Sequence, residues 1–165
     1  MVKKIAELKV KIFADGADQK SILGFSVNPL IKGFTTNPSL MREAGVIDYE
    51  AFAKEILKEI SDKPVSFEVF ADEFDEMERQ AKIISSWGKN IYVKIPITNT
   101  KAESSFDLIK KLSVQGIKIN VTAILDIEQV KHIAPAFAPA TPGIVSVFAI
   151  YYPTPRRVNS RASRA

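Results

Sequence analysis

The feature that most constrains this chain is an alternation. Short β-rich apolar runs are separated by longer stretches with helical amphipathic spacing. Strands are predicted near residues 11–14, 33–35, 65–70, 91–95, 117–121 and 144–147, and helices near 19–25, 48–59, 72–87, 101–114 and 126–133. Helices set between successive strands act as crossovers, and crossovers make neighbouring strands parallel. Helix signals agree with this reading. Asp48 precedes a run in which Phe52, Ile56 and Ile60 recur four apart, Asn99 or Thr100 can cap the helix containing Phe106, and Asp126 can cap the helix that follows it. Gly116 suits a helix end, where a left-handed residue is often required.

A second regularity fixes the unit. Glu68, Lys94, Asn120 and Ser146 stand 26 residues apart, each in or near the end of a predicted strand. That spacing fits one short strand, one helix and two loops, a repeated βα unit. The predicted fold is therefore α/β, of the (β/α)8 TIM-barrel type. Six units are legible in 165 residues, whereas a closed barrel takes eight strands and roughly 200 residues at its most compact. The barrel is expected to be incomplete, with two open sheet edges that invite pairing with another chain, so a homo-oligomer is expected.

Past Phe148 the pattern stops. Lysine does not recur after Lys131, and arginine, used only twice before residue 155, appears four times in the last ten residues. Residues 1–148 are read as the partial barrel. Residues 149–165 are read as an Arg-rich tail, either disordered or unrelated to the rest.

Composition excludes several classes. With no cysteine there are no disulfides or thiolate metal sites, and with one histidine, His132, a His-built metal site is not expected. No metal or cofactor is called for. The net charge of +4 is concentrated in the tail arginines, so the folded part gives no sign of a nucleic-acid face. No apolar run reaches the roughly 18 residues of a membrane span. Residues 1–10 are Lys-rich but lack a signal-peptide core, so a cytoplasmic protein is expected.

Strands buried on both faces of a parallel sheet should be nearly all apolar. Four strands break that rule near their C-terminal ends, where barrel active sites form. The exceptions are Asp15, Glu68, Lys94 and Asn120, with Thr122 two residues on and so on the same face as Asn120. Lys94 lies inside Ile-Tyr-Val-Lys-Ile-Pro-Ile. Burial disfavours the charged form of an amine, and the neutral amine is the form that attacks a carbonyl. Against this stands a bland alternative, a lysine on an edge strand reaching solvent. Glu68 between Phe67 and Val69 is either functional or half of a structural ion pair. Asp15, or Asp18, can serve simply as a turn residue or helix cap. Residues 33–40, GFTTNPSL, read as a strand-end loop whose Thr35 and Asn37 either hold sugar hydroxyls or serve as turn and cap residues, the commoner use, and Asn37 before Pro38 is biased away from helical backbone. His132 reads as a solvated surface residue.

At these same positions the chain resembles the transaldolase family. The resemblance rests on FTTNPSL around Asn37, VSFEV around Glu68, YVKIPIT around Lys94, INVTAIL around Asn120 and VSVF around Ser146, in that order. It implies a (β/α)8 barrel that moves a three-carbon dihydroxyacetone unit between sugar phosphates, in the pentose phosphate pathway. It implies Lys94 as the Schiff-base lysine and Asp15 as the group handling the hydroxyl proton where the carbon–carbon bond breaks. Glu68 would assist proton transfer through a water that Thr122 positions. Asn37 and Asn120 would hold the bound enamine, and Thr35 and Ser146 would line the site. A sugar phosphate is the implied partner. A related branch that cleaves fructose 6-phosphate carries Gln and Tyr where this chain has Glu68 and Phe148, which favours transfer. The family continues after Ser146 with a Gly-Arg pair whose arginine binds phosphate, whereas this chain has Ile150 and Tyr151. Impaired activity is therefore expected. Two alternatives stand beside an active enzyme: a non-catalytic partial barrel that self-associates, and a phosphosugar-binding module without turnover.

Overall fold

Two faces of one sheet carry opposite chemistry, and this division organises the molecule. The computed structural model describes residues 11–148. Its elements run β1 (Ile12–Asp15), α1 (Gln19–Ser26), β2 (Ile31–Thr35), α2 (Pro38–Glu43), α3 (Tyr49–Glu59), β3 (Val65–Glu68), α4 (Phe74–Ser86), β4 (Ile91–Pro96), α5 (Phe106–Val114), β5 (Ile119–Ile124), α6 (Ile127–Ile133) and β6 (Gly143–Val147). The six strands pair in parallel, in sequence order.

Side chains alternate across each strand. One set, including Phe34, Phe67, Val93, Ile95, Ile119 and Val121, is buried in a single core with helix residues such as Phe52, Ile56, Met77, Ala81, Ile109 and Leu112. The other set holds the polar residues. This second face is concave. Asn120 on β5 donates to Ser66 on β3 at 3.1 Å, although strands two apart in a flat sheet lie about 10 Å from each other. Only a sheet curled around that face brings the two together. The result is a half-barrel, an incomplete (β/α)8 barrel as expected. No helix among the described residues is long and apolar enough to cross a membrane. The expected tail, residues 149–165, lies outside the described residues.

Local chemistry explains the element boundaries. Asp48 caps α3 by accepting from Ala51 N–H at 2.9 Å, and Asp126 closes a capping box with Gln129 on α6, both as the sequence indicates. Gly116 is left-handed, φ 81°. Asp18, not Asp15, caps α1.

Several boundaries differ from expectation, and three of them have a visible cause. Residues 33–40 are not simply a loop: Asn37 caps a short α2 with Pro38 in its first turn, where a missing N–H costs nothing. α5 starts at Phe106 rather than near residue 101. Asn99 and Thr100 do not cap it; Asn99 Oδ1 accepts from the Lys101 and Glu103 amides, and Thr100 donates to Asp72 from its amide and hydroxyl. Ala102 between them is left-handed, φ 61°, which no helix accommodates. β3 ends at Glu68 rather than residue 70, because the Phe70 and Ala71 amides turn aside to Gln80 Oε1.

Asp48→Ala should lower stability by about 1 kcal/mol, and Asp48→Asn by much less, in urea unfolding. Equal losses for both would show that the cap is not what holds the start of α3.

Candidate active site

The register of the central strands builds a polar row. Glu68 pairs with Lys94 across β3–β4, and Lys94 pairs with Asn120 across β4–β5. Each step is 26 residues, so the spacing in the chain is the register of the sheet. Paired residues of parallel strands point to the same side, here the concave one.

Lys94 is on the fourth of six strands and only 8 % exposed. The edge-strand alternative for it therefore falls. Its ammonium donates to Thr36 C=O at 3.0 Å and lies 3.2 Å from Glu68 Oε2. An isolated buried ammonium would be costly; a carbonyl and a carboxylate offset that cost here. Glu68 is accordingly half of an ion pair, and that pair is also an acid–base couple within proton-transfer distance.

Asn120 is fully buried. Its Nδ2 donates to Ser66 Oγ, and its Oδ1 accepts from Ser146 Oγ at 2.7 Å. Ser146 stands one step beyond the row, because the β5–β6 register places Ile144, not Ser146, opposite Asn120. Two residues further along, it remains on the same face.

Asp15 and Thr35 form a separate pair. Thr35 Oγ1 donates to Asp15 Oδ1 at 2.7 Å, in a row that continues through Ser66 to Tyr92. This row is two residues below the first, and it does not bring Asp15 into contact with Lys94. Asn37 has extended backbone, as its place before Pro38 implies, and its Oδ1 accepts from Leu40 N–H at 3.0 Å. The helix cap thus occupies one end of the Asn37 amide. It directly follows Thr36, whose carbonyl holds Lys94.

Thr122 pairs with Pro96, and its hydroxyl makes no hydrogen bond among the described residues. Just after it the β5–β6 register slips by one residue, and Ala123 is left-handed, φ 60°. This is a β-bulge, a feature that re-aims side chains beside active sites, and it costs about 1–2 kcal/mol for a residue with a Cβ. His132 is exposed, as expected.

An open trough of about 840 Å³ runs along the concave face below the lysine: Thr35, Tyr92, Asn120 and Ser146 are in its walls together with Lys32 and Pro64 nearer the strand starts, and Lys94 and Glu68 are not. Two participants escaped the sequence reading. Ser66, the partner of Asn120, was detectable in principle, being two residues before Glu68 and so on its face. The Thr36 carbonyl was not, since a backbone acceptor carries no residue-type signal.

Polar residues gathered at the C-terminal ends of parallel strands, around a buried lysine, define a protein of the (β/α)-barrel class. The chain belongs to the transaldolase/fructose-6-phosphate aldolase family, whose model matches residues 12–152. It is 41 % identical over 120 residues to a probable transaldolase of Lactiplantibacillus plantarum, covering 73 % of this chain and 52 % of that one. Similar matches are a probable transaldolase of Dehalococcoides mccartyi, 32 % identical with 73 % and 54 % covered, and a probable transaldolase 2 of Listeria monocytogenes, 38 % identical with 73 % and 52 % covered. The chain thus spans about half the length of the curated relatives it matches.

Asn120→Ala removes both side-chain bonds of a fully buried group and leaves Ser66 without its partner. We expect a loss of about 2–3 kcal/mol in chemical denaturation. A change no larger than that of an exposed alanine substitution would contradict the network.

Proposed function

We propose that this chain carries a transaldolase-type centre, in which Lys94 forms a Schiff base with the ketone of a sugar phosphate. The observation that carries the proposal is the Lys94 amine itself, buried on a central strand with Glu68 at 3.2 Å and a single backbone carbonyl as its other partner. Family membership and the names of the relatives support the same reading.

The chemistry is the one that the family resemblance implies for these residues. Glu68 takes the proton that keeps Lys94 inactive, and the freed lone pair attacks the ketone carbon. Loss of water leaves a protonated imine, which is an electron sink. Asp15 removes the proton from the hydroxyl on the far carbon of the bond to be broken, and that carbon becomes the aldehyde. That bond's electrons flow to the imine nitrogen, an aldose phosphate leaves, and a dihydroxyacetone enamine stays on Lys94. Asn120 and Asn37 hold its hydroxyls. The enamine adds to the aldehyde of a second aldose phosphate, and water attacking the new imine releases the product ketose phosphate. Thr122 orients that water. The carboxylate at Glu68 favours transfer over simple cleavage. With Tyr151 in the place where the family's phosphate-binding arginine is expected, phosphate is gripped weakly. Binding energy that would position the reacting carbon is lost, so turnover suffers along with affinity.

The test is the intact mass of the chain after incubation with fructose 6-phosphate and borohydride. The native chain should gain one reduced dihydroxyacetone unit, and Lys94→Ala none. Labelling of both, or of neither while both are folded, would overturn the proposal. Glu68→Gln should still be labelled but about 10²–10⁴-fold more slowly, the usual contribution of a positioned proton acceptor.

A further inference from the structure

The lysine's second partner, Thr36 C=O, lies where the β2–β3 ladder ends, and there it accepts from Lys94 with no ladder N–H competing for it. In the β2–β3 ladder, Phe34 N–H donates to Pro64 C=O at 2.9 Å and Thr36 N–H to Ser66 C=O at 3.2 Å. Continued by one step, the ladder would join Glu68 N–H to Thr36 C=O, and residue 38 N–H to Glu68 C=O. Residue 38 is proline and has no N–H. Glu68 C=O therefore has no β2 donor, and Glu68 N–H turns away from Thr36 as well, so neither backbone group of Glu68 has a β2 partner.

Tyr49 fills both places. Glu68 N–H donates to Tyr49 Oη at 2.8 Å, and the Tyr49 hydroxyl donates to Glu68 C=O at 3.1 Å. Tyr49 is the first residue of α3, a helix start held by the Asp48 cap. Its ring meets Phe67, Phe70 and Trp87 edge-on, with centroids 5.7, 4.8 and 5.4 Å away. Burial pushes its phenol above the ordinary range, so the hydroxyl keeps the proton it donates.

We infer that Tyr49 is a positioning residue: its hydroxyl replaces the absent rung of the β2–β3 ladder, fixes the backbone of Glu68, and so holds the Glu68 carboxylate against the Lys94 amine. Without the hydroxyl, both backbone groups of Glu68 turn to water, which lets the carboxylate drift from Lys94. That change disturbs the Glu68–Lys94 couple without touching a reacting atom. This inference rests on the Schiff-base reading of Lys94.

Tyr49→Phe keeps the ring and removes only the hydroxyl, so the variant is tested in the whole chain. Amide hydrogen exchange at Glu68 should rise about 100-fold, while that of Val69, bonded to Lys94 C=O, should change little. Trapping of fructose 6-phosphate by borohydride should slow about 10-fold. In a Glu68→Gln background the same substitution should change the trapping rate less than about twofold, because the group it positions is no longer a carboxylate. A merely structural role would slow trapping equally in both backgrounds, and that result overturns the inference. So does unchanged exchange at Glu68. Native-rate trapping by Tyr49→Phe overturns it too, while leaving the Schiff-base reading intact. No adduct on the native chain defeats that reading first, and the positioning role falls with it.

Discussion

Equal spacing of the central strands is the constraint from which the rest follows. Glu68, Lys94 and Asn120 face each other because each βα unit between them returns the chain to the same height in the sheet. In a parallel sheet a one-residue slip would turn every side chain of a strand to the opposite face. Here such a slip would put Lys94 into the apolar core beside Ile56 and Ile109, and Val93 onto the concave side. The apolar set therefore enforces the polar row. Each strand must bury its valines and isoleucines beneath the helices, and that requirement alone sends the lysine inward.

Once inward, the polar groups must satisfy one another. They do so in short chains that cross the concave face. Ser146, Asn120 and Ser66 link three strands, Glu68 and Lys94 link two, and Thr36 C=O draws β2 toward β4 through the lysine amine. Removing either partner of a buried charge pair leaves the other uncompensated, which costs more than the pair itself contributes. The site and the curvature of the sheet thus depend on the same bonds. Asn120 reaches Ser66 only across a curled sheet, and their bond helps keep it curled.

Much of this was legible in the chain because it is carried by side-chain type and period. The alternation of strand and helix, the caps Asp48 and Asp126, and the left-handed Gly116 each have a residue-level signature. The row of Glu68, Lys94 and Asn120 was visible as polar exceptions in apolar strands. What was hidden is carried by the backbone. Nothing in the identity of Thr36 says that its carbonyl accepts from a lysine 58 residues away. Ala123 gives no hint of a left-handed conformation, because alanine normally avoids it. The start of α5 was misplaced because Asn99 and Thr100 are good caps in isolation, and only Asp72, far off in sequence, diverts Thr100. A cap was among the readings open for Asn37, but the short helix that its Oδ1 caps was not foreseen.

The two breaks in regularity flank the polar row. At one, Pro38 ends the β2–β3 ladder; at the other, the bulge at Ala123 shifts the β5–β6 register. Each forfeits regular pairing at a point where the sheet would otherwise run on unchanged. The first exposes a carbonyl that Lys94 uses, with Tyr49 taking over the groups left behind. The second follows Thr122 directly, and it changes the direction of β5 just where that strand leaves the concave face. A fully regular ladder would satisfy more backbone groups with fewer side chains. It would also set a ladder N–H in competition for the carbonyl that Lys94 uses. Where the ladder ends, that carbonyl and the Glu68 carboxylate share the lysine between them, so β2, β3 and β4 are tied at one point by a side chain rather than by a rung.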